Sequence, residues 1–174
     1  METKTARTSV ALALTALALS SIITAAPASH GLAQAGLRIG GGSANFGVFT
    51  LMGGFLPDPA QYSVTSGGSL DASTLGLAPN CRGFVTAQPD VIVHYQSPRS
   101  WLRFFVRAAG DTTLVINDAQ GRWHCSDDEG GNLNPMIDLA GPPGGQYDIW
   151  VGSYRAAENL RGTLFVTELS GNRP

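Results

Sequence analysis

The sequence predicts an all-β sandwich or barrel, and three observations carry that prediction. Short runs rich in Val, Ile, Phe, Tyr, Trp and Thr recur from Asn45 onward, a composition that fits a pleated, half-buried surface. Breakers fall between them at spacings of roughly 8–12 residues, the rhythm of sandwiches and barrels. Nothing between Phe46 and Glu168 sustains a 3.6-residue apolar stripe; the best candidate, Tyr154 to Leu160, is short and follows Gly152.

The predicted strands are Phe46 to Met52, Gln61 to Thr65, Arg82 to Thr86, the alternating run Val91 to Gln96, Trp101 to Val106, Thr112 to Ile116, Arg122 to Cys125, Gln146 to Val151 and Thr163 to Val166. Between them lie Gln88-Pro89-Asp90, Ser97-Pro98, Ala109-Gly110-Asp111, Asp118-Ala119-Gln120-Gly121 and Pro142-Pro143-Gly144-Gly145. Each holds a fixed-φ Pro or a permissive Gly, in all but the last beside a polar side chain that can bond its own backbone.

The N-terminus reads as a secretory signal over residues 1–33. Lys4 and Arg7 precede an uncharged Ala/Leu-rich stretch from Val10 to Ala26, and small residues allow cleavage after Ala28 or Ala33. An uncleaved anchor is the rival reading, since the run approaches the ~20 residues that span a bilayer. Its Thr and Ser content and the small residues after it argue for cleavage. No later segment is apolar for long enough to cross a membrane. Residues 34–45, with Gly36, Gly40, Gly41 and Gly42, read as a flexible lead-in, and 46–170 as one domain.

The exported part carries 9 Arg against 12 Asp and Glu, a mild acidity that gives no general attraction for nucleic acid. Its two cysteines, Cys81 and Cys125, read as a disulfide in an oxidising compartment, secreted or periplasmic. The alternative, a thiolate metal site with His94 and His124, lacks the paired ligand spacing that zinc favours.

The succession Gly83-Phe84-Val85, Pro89-Asp90-Val91 with Tyr95, Asp111 to Asn117, Gly121-Arg122-Trp123-His124-Cys125, Ser126-Asp127-Asp128 through Asn134-Pro135, and Pro142 to Gly152 resembles the bacterial pre-peptidase C-terminal domain. The similarity covers about residues 81–166, and Gly54 to Pro59 looks like the lead-in of free-standing versions. The resemblance implies a jelly-roll-like β-sandwich that commonly sits beside secreted proteases, binds substrate or aids secretion, and often binds calcium. The chain departs from the usual setting in that no protease domain precedes the match, so a peptidase label would describe the neighbourhood and not this chain's chemistry.

The densest polar stretch is Ser126 to Asn134. Asp127, Asp128, Asn132 and Asn134 are candidate calcium ligands, since calcium takes six to eight oxygens at ~2.3–2.6 Å, although the spacing is not that of an EF-hand. A solvated turn capped by its own Asp and Asn is the competing reading. Asp90, Asp111, Asp118 and Asp148 fall at strand edges, where they read as corner residues. Trp123, Trp150 and Tyr147 are candidate binding residues wherever they are exposed; at least one of the two tryptophans belongs to the core beside the disulfide.

No catalytic residue is assigned. His94 lies in an alternating strand, His124 adjoins Cys125, and no G-x-S-x-G elbow is present. The function read from the sequence is a non-catalytic, secreted accessory or binding domain, stabilised by Ca2+, acting on an extracellular protein, another polymer or a co-secreted protease. A small secreted hydrolase or protease-associated subunit is the first alternative. A surface protein that assembles through strand edges is the second.

Overall fold

The computed structural model describes residues 1–2, 33–34 and 36–174; residues 3–32, which hold most of the expected signal peptide, lie outside them. The described chain forms strands β1 (Ala33–Gln34), β2 (Leu37–Arg38), β3 (Val48–Met52), β4 (Ala60–Thr65), β5 (Leu70–Asp71), β6 (Phe84–Val85), β7 (Val91–Gln96), β8 (Trp101–Ala108), β9 (Thr112–Asn117), β10 (Trp123–Ser126), β11 (Met136–Ala140), β12 (Gly145–Ser153) and β13 (Arg161–Thr167). A single 3-10 turn, Ala72–Thr74, is capped by the Asp71 carboxylate, which accepts from Ser73 N at 3.0 Å. No helix among the described residues is long and apolar enough to cross a membrane.

Eight of these strands make a jelly roll. One sheet has the antiparallel order β4-β13-β8-β11, and the other the antiparallel order β7-β12-β9-β10. Consecutive strands therefore alternate between sheets except at the β9–β10 hairpin, which is the double Greek-key connection of a jelly roll. Strand β3 adds to β7 in parallel, and the short pair β5–β6 joins β12 at its last residue, Ser153. The all-β class and the jelly-roll-like sandwich expected from the sequence are thus observed.

Period-2 alternation fills the space between the sheets. Val91, Val93 and Tyr95 of β7 face Leu102, Phe104 and Val106 of β8, with Leu114, Ile116, Ile149 and Leu164 in the same buried cluster. Strand β11 was not among the predicted strands, although Ile137 and Leu139 alternate inward along it. Its five residues sit between Pro135 and Gly141 and carry only two strongly apolar inward side chains, too weak a pattern to stand out from loop.

A second, smaller core lies on the outer face of the larger sheet. Every residue of β9 is buried, and so are Tyr147 to Ser153 of β12, which alternation on a one-sided sheet would forbid. Val115 and Trp150 point outward, where Leu37, Ala72, Val85 and the Cys81–Cys125 bridge cover them. The bridge forms as expected, with the two Cα atoms 5.0 Å apart. It fixes the long 66–83 connection to β10. Gly152 permits the approach of β6, because a Cβ there would lie 3.0 Å from Val85 Cγ1 and 3.1 Å from Phe84 O.

The lead-in expected to be flexible is part of this cover. Leu37 is fully buried, Arg38 N donates to Ala87 O at 2.8 Å, and Gly40 N donates to Asp148 Oδ2 at 2.7 Å. Glycine content masked this, because the two large apolar side chains that pack, Leu37 and Ile39, stand among glycines that read as a flexible segment. At the other terminus the domain runs past residue 170: Arg103 Nη1 donates to Ser170 O and Asn172 O at 2.9 and 2.8 Å.

Leu37→Ala is expected to lower stability by about 2–4 kcal/mol, the cost of a large-to-small change in a closed core. Chemical denaturation of the two proteins checks this. A variant as stable as the parent would restore the flexible lead-in.

Candidate functional site

Two surface sites gather side chains that secondary structure alone does not require. The first is the acidic corner where β9 begins and β10 ends. Antiparallel register pairs Ser126 with Leu114, so the residues just past β10 lie beside those just before β9. Carboxylate oxygens of Asp111, Asp127 and Asp128 come within 4.8 Å of one another. The Oδ1 atoms of Asp111 and Asp127 are buried without a hydrogen-bond partner. Arg82 offers partial compensation, its Nη1 lying 3.8 Å from Asp127 Oδ2.

Burial and the neighbouring charges of Asp128 and Asp111 push the Asp127 carboxyl up to about 6, and burial with the Asp128 charge raises Asp111. Glu129 stands apart. Hydrogen bonds from Ser126 Oγ and Asp127 N outweigh its burial and hold it below the usual range, so it closes the turn.

The expected calcium ligands are only partly brought together. Asp127 and Asp128 meet, whereas Asn134 spends its Oδ1 on Ala108 N at 3.1 Å and its Nδ2 on Asn132 O at 3.0 Å. Asn132 holds a positive φ of 54° and serves the bend. Asp111, read from sequence as a corner residue, takes their place in the cluster; only the strand pairing reveals it. Three carboxylates with two orphaned buried oxygens fit an oxygen-seeking divalent cation such as calcium.

The other strand-edge acids are acceptors for backbone. Asp118 takes Gln120 N at 2.9 Å, Arg122 N at 3.0 Å and Arg122 Nε at 2.7 Å, and it bonds His124 Nε2 at 2.9 Å. Against burial, these bonds lower its pKa. Asp90 accepts from Val151 N and Asn45 Nδ2, each at 2.8 Å, while burial pushes it up to about 6. His124 thus serves a turn. Ser126 Oγ donates to Glu129 and accepts from Met136 N at 2.8 Å.

The aromatic binding candidates were named only where exposed, and two of the three do not meet that condition. Trp150 and Tyr147 are fully buried, the first in the outer core and the second between the sheets. Trp123 is half-buried against Trp150, ring centroids 5.7 Å apart. Both faces of β12 are covered, so its aromatics have no route to a ligand.

The second site is a cleft of about 420 Å³ that sequence reasoning missed. Three connections build it: residues 53–59 between β3 and β4, residues 97–100 between β7 and β8, and the chain leaving β13. Glu168 ties them together. Its Oε2 accepts from Gly54 N at 2.7 Å and its Oε1 from Tyr95 OH, while that hydroxyl accepts from Arg99 N at 2.9 Å. Burial, then the Glu168 contact, pushes the Tyr95 phenol up to about 12. Asp58 Oδ2 accepts from Glu168 N at 3.0 Å. Leu56 and Leu169 flank the opening, 89% and 55% exposed, with Phe55 and Trp101 along the walls. The sequence signal, an apolar residue on each of two Pro- or Gly-containing turns, is too common to single out.

No protein-family model matches the chain, and no curated protein matches it. Among solved structures, the chain is similar to the periplasmic inhibitor of g-type lysozyme, PliG, of Aeromonas hydrophila, at 16% identity and a TM-score of 0.33, over 69% of this chain and 96% of that one.

The acidic corner makes a signed prediction. An aspartate has an unfolded pKa of about 3.9, and Asp127 reaches about 6 when folded. The folded state therefore binds the proton more tightly, and this residue's contribution to stability falls as pH rises from about 4 to about 6. In calcium-free buffer, Asp127→Asn is expected to be more stable than the parent at pH 7 by about 1 kcal/mol, less than the full shift because solvent screens the corner. The gap closes near pH 4. Thermal melts across that range check it, and a variant less stable at pH 7 would contradict the strain.

Proposed function

We propose that the protein is an exported, non-catalytic binding domain, a relative of the pre-peptidase C-terminal domain, that engages an extracellular protein or polymer through the cleft between residues 53–59, 97–101 and 168–169. The observation that carries this is the cleft's construction. Its floor is cross-linked by hydrogen bonds through Glu168, Tyr95 and Asp58, while its rim leaves Leu56 and Leu169 in solvent. Rigid support beneath exposed apolar side chains reduces the ordering cost of association, and such side chains are what a partner desolvates.

The jelly-roll connectivity supports the family reading, and the Cys81–Cys125 bridge supports an oxidising, extracytoplasmic destination. Calcium, in this reading, is held by Asp111, Asp127 and Asp128. It supplies positive charge to a corner whose carboxylates repel one another, and acts on stability alone.

Two experiments test these statements. Random peptides displayed on phage and selected on the immobilised full chain should yield clones that bind Leu56→Asp/Leu169→Asp at least about tenfold more weakly, the loss of one to two apolar contacts. Clones that bind both proteins equally would place the binding face elsewhere. Calcium at a hundredfold excess over its dissociation constant should add about 2.7 kcal/mol to stability, and Asp111→Asn/Asp127→Asn should abolish that gain. An unchanged melt of the parent in millimolar calcium would remove the ion from the account.

A further inference from the structure

We infer that the cleft, taken as the binding site proposed above, recognises a carboxylate set beside an apolar side chain, that is, an acidic and apolar segment of a partner protein, with Arg99 as the anchor. The inference follows from which polar groups in the cleft are already spent. Glu168 has one oxygen on Gly54 N and the other on Tyr95 OH. Asp58 has one oxygen on Thr167 Oγ1 and the other on Glu168 N. Both acids are therefore committed to holding the loops. Arg99 alone among the charged residues of the cleft keeps its side-chain donors: its guanidinium forms no ion pair and no hydrogen bond among the described residues.

Arg99 is nevertheless held in place at its backbone. Its backbone N–H donates to Tyr95 OH at 2.9 Å, and its side chain runs along Gly53 and Gly54. A Cβ at Gly54 would lie 2.6 Å from Arg99 Nη2, and one at Gly53 would lie 3.4 Å from Arg99 Cγ. Gly54 also has a φ of 83°, which favours glycine there on conformational grounds. The pair of glycines is thus a track on which the arginine lies, in the cleft that Leu56 and Trp101 also line.

A guanidinium presents a planar fork of donors that matches a carboxylate in two parallel hydrogen bonds. One such fork beside two carboxylates fits a singly charged carboxylate. A phosphate dianion or a polyanion would bring further negative charge against Asp58 and Glu168 and be repelled. The flanking Leu56, Leu169, Phe55 and Trp101 require apolar surface on the same ligand. An Asp or Glu adjoining a Leu, Ile or Phe on an extended protein segment meets both demands.

The test is a titration of the nitrogen-15-labelled full chain with two capped peptides, Ac-Leu-Glu-Leu-NH2 and Ac-Leu-Gln-Leu-NH2, followed by NMR. The acidic peptide is expected to shift the Gly54 amide and the Trp101 indole and to bind at least about tenfold more tightly than its amide twin, the worth of a charge-assisted pair at a partly desolvated site. Arg99→Gln should erase the preference, Arg99→Lys should restore part of it, and Leu56→Asp/Leu169→Asp should weaken both peptides. Equal affinity for the two peptides, or a preference that survives Arg99→Gln, overturns the inference; if the leucine variant still weakens both, the cleft remains the binding face. Absence of any shift at Gly54 and Trp101 also overturns it, and the phage selection then decides the cleft separately.

Discussion

Burial of Trp150 on the outer face of β12 is the constraint on which much of the remaining structure depends. A sheet in a two-layer sandwich turns one face to solvent, yet here the middle of the larger sheet is apolar on both. An indole of this size left in water would forfeit several kcal/mol of transfer free energy. The chain covers it with a loop, a bridge and a strap: residues 66–83 cross the sheet, Cys81 binds to Cys125 on β10, and Leu37 closes the gap from the N-terminal side. The disulfide matters because the 66–83 connection has little regular structure of its own. Besides the bridge, the β5–β6 pair, one 3-10 turn and a few hydrogen bonds, among them Asn80 Nδ2 to Cys125 O at 2.6 Å and Gly67 N to Val151 O at 3.1 Å, hold it.

Carboxylates then do for the loops what the bridge does for the cover. Asp90 and Asp148 are nearly inaccessible, and burial raises both pKa values. They persist because each accepts from backbone or amide groups that would otherwise be unpaired: Val151 N and Asn45 Nδ2 at Asp90, Gly40 N and Gln146 Nε2 at Asp148. Hydrogen bonds of this kind recover the desolvation of the acceptor. Asp111 and Asp127 are different. Their buried Oδ1 atoms have no such partners, and their nearest charges are mostly one another's. The same residue type is a structural acceptor at three strand edges and a strained anion at the fourth.

That difference also sets what was legible from sequence. Strands with period-2 apolar patterns and clear breakers, such as Val91 to Gln96 and Trp101 to Val106, were visible, and so was the Cys81–Cys125 pairing, because local chemistry determines each. The outer core was not. Val115 and Trp150 sit in runs that read as alternating strands with one buried face, and nothing local says that a loop about 30 or more residues upstream covers the other. Asp111 joined Asp127 through strand register, a non-local fact. The cleft is the extreme case: Leu56, Arg99 and Leu169 stand on three separate connections, and none carries a motif. Aromatic residues in strands are the ones a sequence displays most plainly, yet the fold consumes them in its cores and leaves the side chains of the turns free.

The two sites lie at opposite ends of the sandwich, and strand β8 measures the separation. It begins at Trp101, a wall of the cleft, and ends at Ala108, three residues before Asp111 of the acidic corner. Eight residues at ~3.3 Å each place them roughly 25 Å apart, beyond two Debye lengths at physiological ionic strength. Charge at the corner therefore exerts little direct field on a carboxylate beside Arg99. Coupling through packing would need an element with two arrangements, and β8 is pinned along both edges by β11 and β13. An ion at Asp111, Asp127 and Asp128 would thus relieve the repulsion that weakens one end of the domain and leave recognition at the other end to its own geometry. Under the proposed readings, ion and ligand would act independently of one another, because β8, which connects the two sites, is hydrogen-bonded along both edges.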